Sequence, residues 1–324
     1  VIDKIIEKIR HGIQKLLGQL PHLCKEIYKL LITGKGWLVI AVVVFITIFI
    51  CNSQKVIYSD DEKKKDEYYQ EYGGKDYSGF TEIIELRKAE VKEAAEKLEE
   101  AQEQFEKGEI DENTVSKYVY NYMDSTRLLD SMNEYMEQIN YVEEVNAQYG
   151  IEAYVMSQRG YNQILGDNAK IRKLIIYIIL GFGIVLIAES ENALEYKSGM
   201  NMLLGSSARG RIWGKAVKSG AVCIIAAIIA VIVNITEMSV MSHTYGMPYI
   251  DAPLISLSFM KVGKMLRYIT IKQYMIMQLG VYILYSLLVS IETMAVSRYI
   301  FKKNSNREVP LLIVLNTIVL FIII

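Results

Sequence analysis

Five apolar stretches leave this chain few possible folds: Trp37–Cys51, Ile171–Ala188, Ala216–Ile235, Gln273–Ser297 and Pro310–Ile324. A helix needs roughly 20 apolar residues to cross a bilayer core, with about 17 as the practical lower limit. The middle three reach that length. Lys35 and Trp37 extend the first by snorkelling and interface anchoring. The last ends with the chain, which also begins at Val1 instead of Met, so a fragment of a longer protein is expected. The sequence predicts an all-α fold, a polytopic transmembrane helix bundle.

Charge is sorted along the chain as a membrane protein sorts it. The formal net charge is -1, but Asn52–Ala169 holds 27 acids against 13 bases, a balance of -14, so the remainder carries +13. Lysine and arginine mark the cytoplasmic side. Residues 1–36 hold seven cations against three acids; Lys197, Arg209, Arg211 and Lys215 join the second and third spans; Arg298, Lys302, Lys303 and Arg307 precede the fifth. If the spans alternate, all three regions fall on one side. The expected protein is therefore a multi-pass protein of the cell membrane with a cytoplasmic N-terminus. Residues 52–170 then form an extracellular domain and 298–309 a cytoplasmic loop. Lys261, Lys264, Arg267 and Lys272 oppose this scheme, because residues 236–272, an extracellular or re-entrant segment, fall on the outer side.

Local patterns fill in the rest. Ile2, Ile5, Ile6, Ile9, Ile13, Leu16, Leu17 and Leu20 form one helical stripe, suited to the membrane interface or to a partner protein, and Pro21 is expected to break it. Ser53–Tyr77 reads as a loosely ordered polar stretch with a turn at Gly73-Gly74. From Thr81, Ile84, Val91, Leu98 and Phe105 recur at helical spacing, and Lys107-Gly108 supplies a stop. Asp111 can cap a second helix, whose stripe of Val115, Tyr122, Met132, Ile139 and Val142 continues to about Gln148. The result is an extracellular α-helical hairpin of coiled-coil character. Its tyrosine and methionine stripes read first as packing.

Motifs of chemistry are missing. Gly205 and Gly210 have P-loop spacing, but Arg211-Ile212 follows where Lys-Ser/Thr is needed. There is no H-E-x-x-H and no C-x-x-C, and His11, His22 and His243 are far apart. No catalytic, metal or cofactor site is expected, nor binding to nucleic acid. Cys24, Cys51 and Cys223 offer the acidic domain no disulfide framework. Within the spans, Asn234, Glu292 and Asn316 are candidate pathway residues, because polar groups inside a membrane are often functional. Asn more often bonds a neighbouring helix, and Glu292 is near enough to a basic stretch to be interfacial.

The most informative stretch is the connection at 189–215. It reads as a short cytoplasmic helix, Leu194–Leu204, with an apolar side of Leu194, Met202 and Leu203, an acidic beginning and a basic end. Glu191 and Glu195 precede Ser198-Gly199-Met200, then Leu203-Leu204, Ser206-Ser207, Gly210-Arg211 and Lys215. This order resembles the corresponding connection of bacterial ABC-2-type exporter permeases from Firmicutes, which are Gram-positive. Residues 108–113, Gly160-Tyr161 and Tyr268–Tyr274 are similar to those permeases as well, as is the order of one span, a large outer domain and further spans. The resemblance implies a transporter permease that is not itself an enzyme. Its implied partners are a separate ATP-binding-cassette ATPase, a second permease subunit in a homo- or heterodimer, and membrane lipid. It assigns ATPase coupling to Glu191, Glu195, Gly199, Leu203, Leu204, Arg209, Arg211 and Lys215. A sensor or regulator of envelope activity that carries no cargo is the other reading.

Overall fold

The computed structural model describes residues 20–57, 66–67, 69–197, 214–260 and 262–300. In chain order its helices are α1 Gly36–Ser53, α2 Ser78–Glu106, α3 Glu112–Ser131, α4 Asn133–Tyr149, α5 Arg159–Leu165, α6 Asp167–Lys197, α7 Lys215–Tyr245 and α8 Ile271–Ile300. A π-helical turn, Lys29–Thr33, precedes α1, and a 3-10 turn, Leu254–Ser256, precedes α8. Among the described residues β-pairing is confined to two isolated bridges, Gly74 with Val155 and Pro253 with Thr270. The all-α expectation holds.

Two compact units make up the chain. One contains residues 1–55, 163–245 and 275–324; the other contains 56–162 and 246–274. Four helical stretches are long and apolar enough, by length and composition, to cross a membrane: Gly36–Ser53, Arg159–Ser190, Lys215–Tyr245 and Ile271–Ala295. These match the first four expected spans, and the fifth lies outside the described residues.

In the span unit, α1 packs on α6 and α7, which also touch each other. Trp37, Phe45 and Phe49 point away from the bundle while Val43 is buried. Gly183 is what lets α6 approach: a Cβ there would lie 2.7 Å from Cγ2 of Val43. Helix α8 is stitched on by side chains, including a Cys223–Ser290 contact of 3.3 Å between α7 and α8. Thr47, Thr236, Ser286, Ser290 and Thr293 donate their hydroxyls to carbonyls of the preceding turn, which satisfies them without water. Before α1, the chain turns a corner at Lys35, whose φ of 56° is left-handed. Helix runs over residues 20–28, on the C-terminal side of the break expected at Pro21. A proline lacks only its own N–H, so helix on its C-terminal side is unhindered. The stripe before Leu20 lies outside the described residues.

The second unit begins with the helices α2 and α3, which pack along each other. Their connection uses the chemistry expected of it. Gly108, at φ 77°, ends α2; its N–H donates to Phe105 O at 2.9 Å, and that of Glu109 to Gln104 O at 2.9 Å. This pair of bonds is the Schellman arrangement that satisfies the last carbonyls of a helix. Oδ1 of Asp111 accepts the N–H of Thr114 at 3.2 Å and caps α3.

The second helix does not run unbroken to Gln148. It stops at Ser131 and restarts as α4 at Asn133. The break has a packing cause. From Met132 onward the stripe, with Tyr135, Ile139, Val142 and Val145, enters a core with Tyr69, Phe80, Ile84, Val155 and Ile255. Rings of Tyr69, Phe80 and Tyr135 meet there at centroid distances of 4.6 to 5.6 Å. The stretch around Gly73-Gly74 is ordered against this core, since Gly74 and Val155 exchange backbone bonds of 2.7 and 3.0 Å.

Residues 246–274 are built into the same unit. Gln138 Nε2 donates to Ser256 O at 3.1 Å and Tyr141 Oη to Ile255 O at 2.7 Å. The N–H of Tyr154 donates to Ser256 Oγ at 2.9 Å, and Tyr249 Oη donates to Gln70 O at 3.2 Å. A bilayer cannot pass between segments bonded in this way, so 56–162 and 246–274 lie on one side of any membrane the chain crosses.

Candidate functional site

A buried charge pair ties the spans together. Arg172 stands near the start of α6 and Glu237 in the second half of α7. Their side chains are 1% and 0% exposed, and Arg172 Nε donates to Glu237 Oε1 at 3.0 Å. The other carboxylate oxygen accepts the Tyr282 hydroxyl of α8 at 2.6 Å. Arg172 also donates from Nη2 to Gln163 O at 2.8 Å, where α5 runs towards α6. Burying an ion costs several kcal/mol, and only close geometry with further hydrogen bonds offsets it. Both conditions are met here.

A polar and aromatic shell surrounds the pair. Tyr177 stacks on Tyr282 at 4.6 Å and meets Tyr285 edge-on at 5.0 Å. Tyr285 donates its hydroxyl to Tyr177 O at 3.0 Å. Lys173 donates to Gln278 Oε1 on α8 at 3.1 Å. Asn234, one turn before Glu237, is buried, and among the described residues its Nδ2 finds no acceptor. The site therefore joins α6, α7 and α8 through one carboxylate, two cations and three tyrosines. It lacks the grouping of a metal centre: no set of three or more His, Cys, Asp or Glu gathers among the described residues.

Of the residues singled out in the sequence, Asn234 lies on α7 three residues before Glu237. Glu292 stands apart from the cluster. It is exposed on α8, ten residues past Tyr282, or about 15 Å along the helix at 1.5 Å per residue. Lys215 is the exposed first residue of α7. Glu191 and Glu195 lie in the last turns of α6, which continues to Lys197. Leu194 therefore belongs to the end of that long helix and does not open a separate one. Gly199, Leu203, Leu204, Arg209, Arg211 and Asn316 lie outside the described residues.

Arg172 and Glu237 do not stand out in the sequence, because one falls at the very start of the second apolar stretch and the other lies two residues past the end of the third at Ile235. A usable signal existed: two consecutive antiparallel spans carry charges of opposite sign, Arg172 and Lys173 against Glu237, at ends that share a side.

The spans and their buried polar junction mark the chain as a helical membrane protein. No protein-family model, curated protein or solved structure matches it.

Proposed function

We propose that the chain is the transmembrane permease subunit of an ABC-2-type exporter in a Gram-positive cell membrane, driven by a separate ATPase. The observation that carries this reading is the disposition of the connections. Helices α1 and α7 lead into the unit of 56–162 and 246–274, and α6 and α8 lead out of it. The described residues that flank the α6–α7 connection, Lys197 and Lys215, thus belong to the other end of those two helices. The connection holds the acid, glycine, leucine pair and cation order of the permease resemblance, from Glu191 to Lys215. In this reading the connection is cytoplasmic and meets the ATPase, while the acidic unit is extracellular. ATP hydrolysis belongs to the partner, and a second permease subunit completes the pathway. The Arg172–Glu237–Tyr282 junction makes α6, α7 and α8 answer together when the connection moves.

Co-purification of the full-length protein with an ATP-binding-cassette subunit is the test. R209E/R211E should lose the ATPase while the protein stays in the membrane; unchanged pairing and transport would overturn the coupling role. A cargo-free sensor is the second reading, favoured by an open cleft of about 610 Å³ whose lining includes Lys75, Asp76, Thr81, Glu82, Asn146 and Glu152. Partner ATPase activity that responds to an outer ligand, with no substrate moved, would select it.

A further inference from the structure

The turn that leads into α8 presents apolar and cationic side chains together. Met265 is 91% exposed and Tyr268 is 72% exposed. Lys264 is exposed beside them, and among the described residues no ion pair engages it. Arg267 lies with Cζ 4.2 Å over the Tyr149 ring, and Lys272, in the first turn of α8, is 4.0 Å from Asp251. Backbone bonds pin the base of the turn: Leu254 N to Ile269 O at 2.8 Å, Ile271 N to Ala252 O at 2.9 Å and Lys272 N to Ile250 O at 3.0 Å. The N–H of Leu266 donates to Gly263 O at 3.0 Å and closes the tip. Met265 is thus held outward from a fixed base and not carried by a loose strand.

Three observations together name its occupant. Residues 246–274 carry Lys261, Lys264, Arg267 and Lys272 against the single acid Asp251, within a unit whose other excursion is strongly acidic. Tyr268 is three residues before α8 begins, so the chain places it within about 10 Å of the first residue of a helix apolar enough to cross the bilayer. Apolar tips flanked by lysine and arginine are the composition that enters the headgroup zone. We infer that the Gly263–Lys272 turn docks onto phospholipid headgroups of the bilayer the chain spans, with Met265 and Tyr268 entering the interface and Lys264 facing phosphates. The docking also accounts for a basic segment on the acidic side. It rests on the membrane spans and is independent of the exporter reading.

The test uses wild-type, full-length protein at one copy per nanodisc, with phosphatidylglycerol or phosphatidylcholine as the lipid. Exposure alone makes Met265 oxidise faster than Met123, which is 62% exposed on α3. Lipid contact reverses that order, so hydroxyl radicals should oxidise Met265 several-fold more slowly than Met123 in phosphatidylglycerol. Amine labelling of Lys264 should slow by about fivefold from phosphatidylcholine to phosphatidylglycerol, the factor expected of one cation at an anionic surface. Lys92 and Lys97 on α2 should not change. Met265 oxidised as fast as Met123, or Lys264 indifferent to lipid charge, overturns the inference. So does Met265 that is open in nanodiscs and protected only in whole cells, which would identify a protein partner.

Discussion

Arg172 has no way to leave its charge unpaired. Its side chain is 1% exposed and that of Glu237 0%, so each depends on the other for a counter-charge. Removing one partner strands the other in a low dielectric, at a cost of about 3–5 kcal/mol, whereas removing both for apolar groups of similar volume is often neutral or stabilising. R172M or E237M alone is therefore expected to lower the unfolding temperature of the full-length protein in nanodiscs sharply, and R172M/E237M to restore most of it. A double variant as unstable as the singles would show that the junction does not act as a pair. Tyr282 bonds the same carboxylate from α8, and Y282F should cost about 1.5–3 kcal/mol, the net worth of a hydrogen bond to a charged group.

At the scale of elements, close approach and capping set the helix positions. The Cβ of an alanine at Gly183 would sit 2.7 Å from Val43 Cγ2 and 3.6 Å from Val39 Cγ1. Valine has little rotamer freedom on a helix, so α1 must shift. G183A should destabilise the bundle by about 1–3 kcal/mol, as overpacking does, and V43A in the same chain should relieve it. A G183A chain that melts at the wild-type temperature would place the contact at the periphery. In the acidic unit, the Thr114 hydroxyl is the main cause that holds the Asp111 carboxyl below its ordinary range. A depressed carboxyl stabilises the fold above its unfolded pKa and loses that contribution as pH falls through the folded one. D111A should therefore be less stable than wild type at neutral pH, and the gap should close as the medium is acidified below the ordinary aspartate range. A gap of constant size would mean that the cap acts through its shape and not its charge.

At the scale of the whole molecule, the second excursion decides the topology. The cations of 246–274 argued for the cytoplasmic side. Bonds from Gln138, Tyr141, Tyr154 and Gln158 to residues 255–258 instead hold that segment to the acidic excursion. Single cysteines at Glu99 and Asp251 should react with an impermeant maleimide from the same side of sealed vesicles, and one at Arg209 only from the other. Labelling of 99 and 251 from opposite sides would dismantle the fold as described. In the proposed orientation the cations of 246–274 run against the positive-inside rule, which a folded segment carried across with its domain does not obey.

Apolar run length and turn chemistry act within a few residues, so the sequence by itself determined four spans, the glycine stop at Gly108 and the Asp111 cap. Tertiary structure alone decided the rest. The break at Met132 follows from a core that draws on Tyr69 and Ile255, far from it in sequence. The pairing of Arg172 with Glu237 bridges 65 residues and takes its third partner from another helix. No local pattern encodes such a pair, because which charges meet depends on which helices become neighbours, and that is settled only when the whole bundle closes.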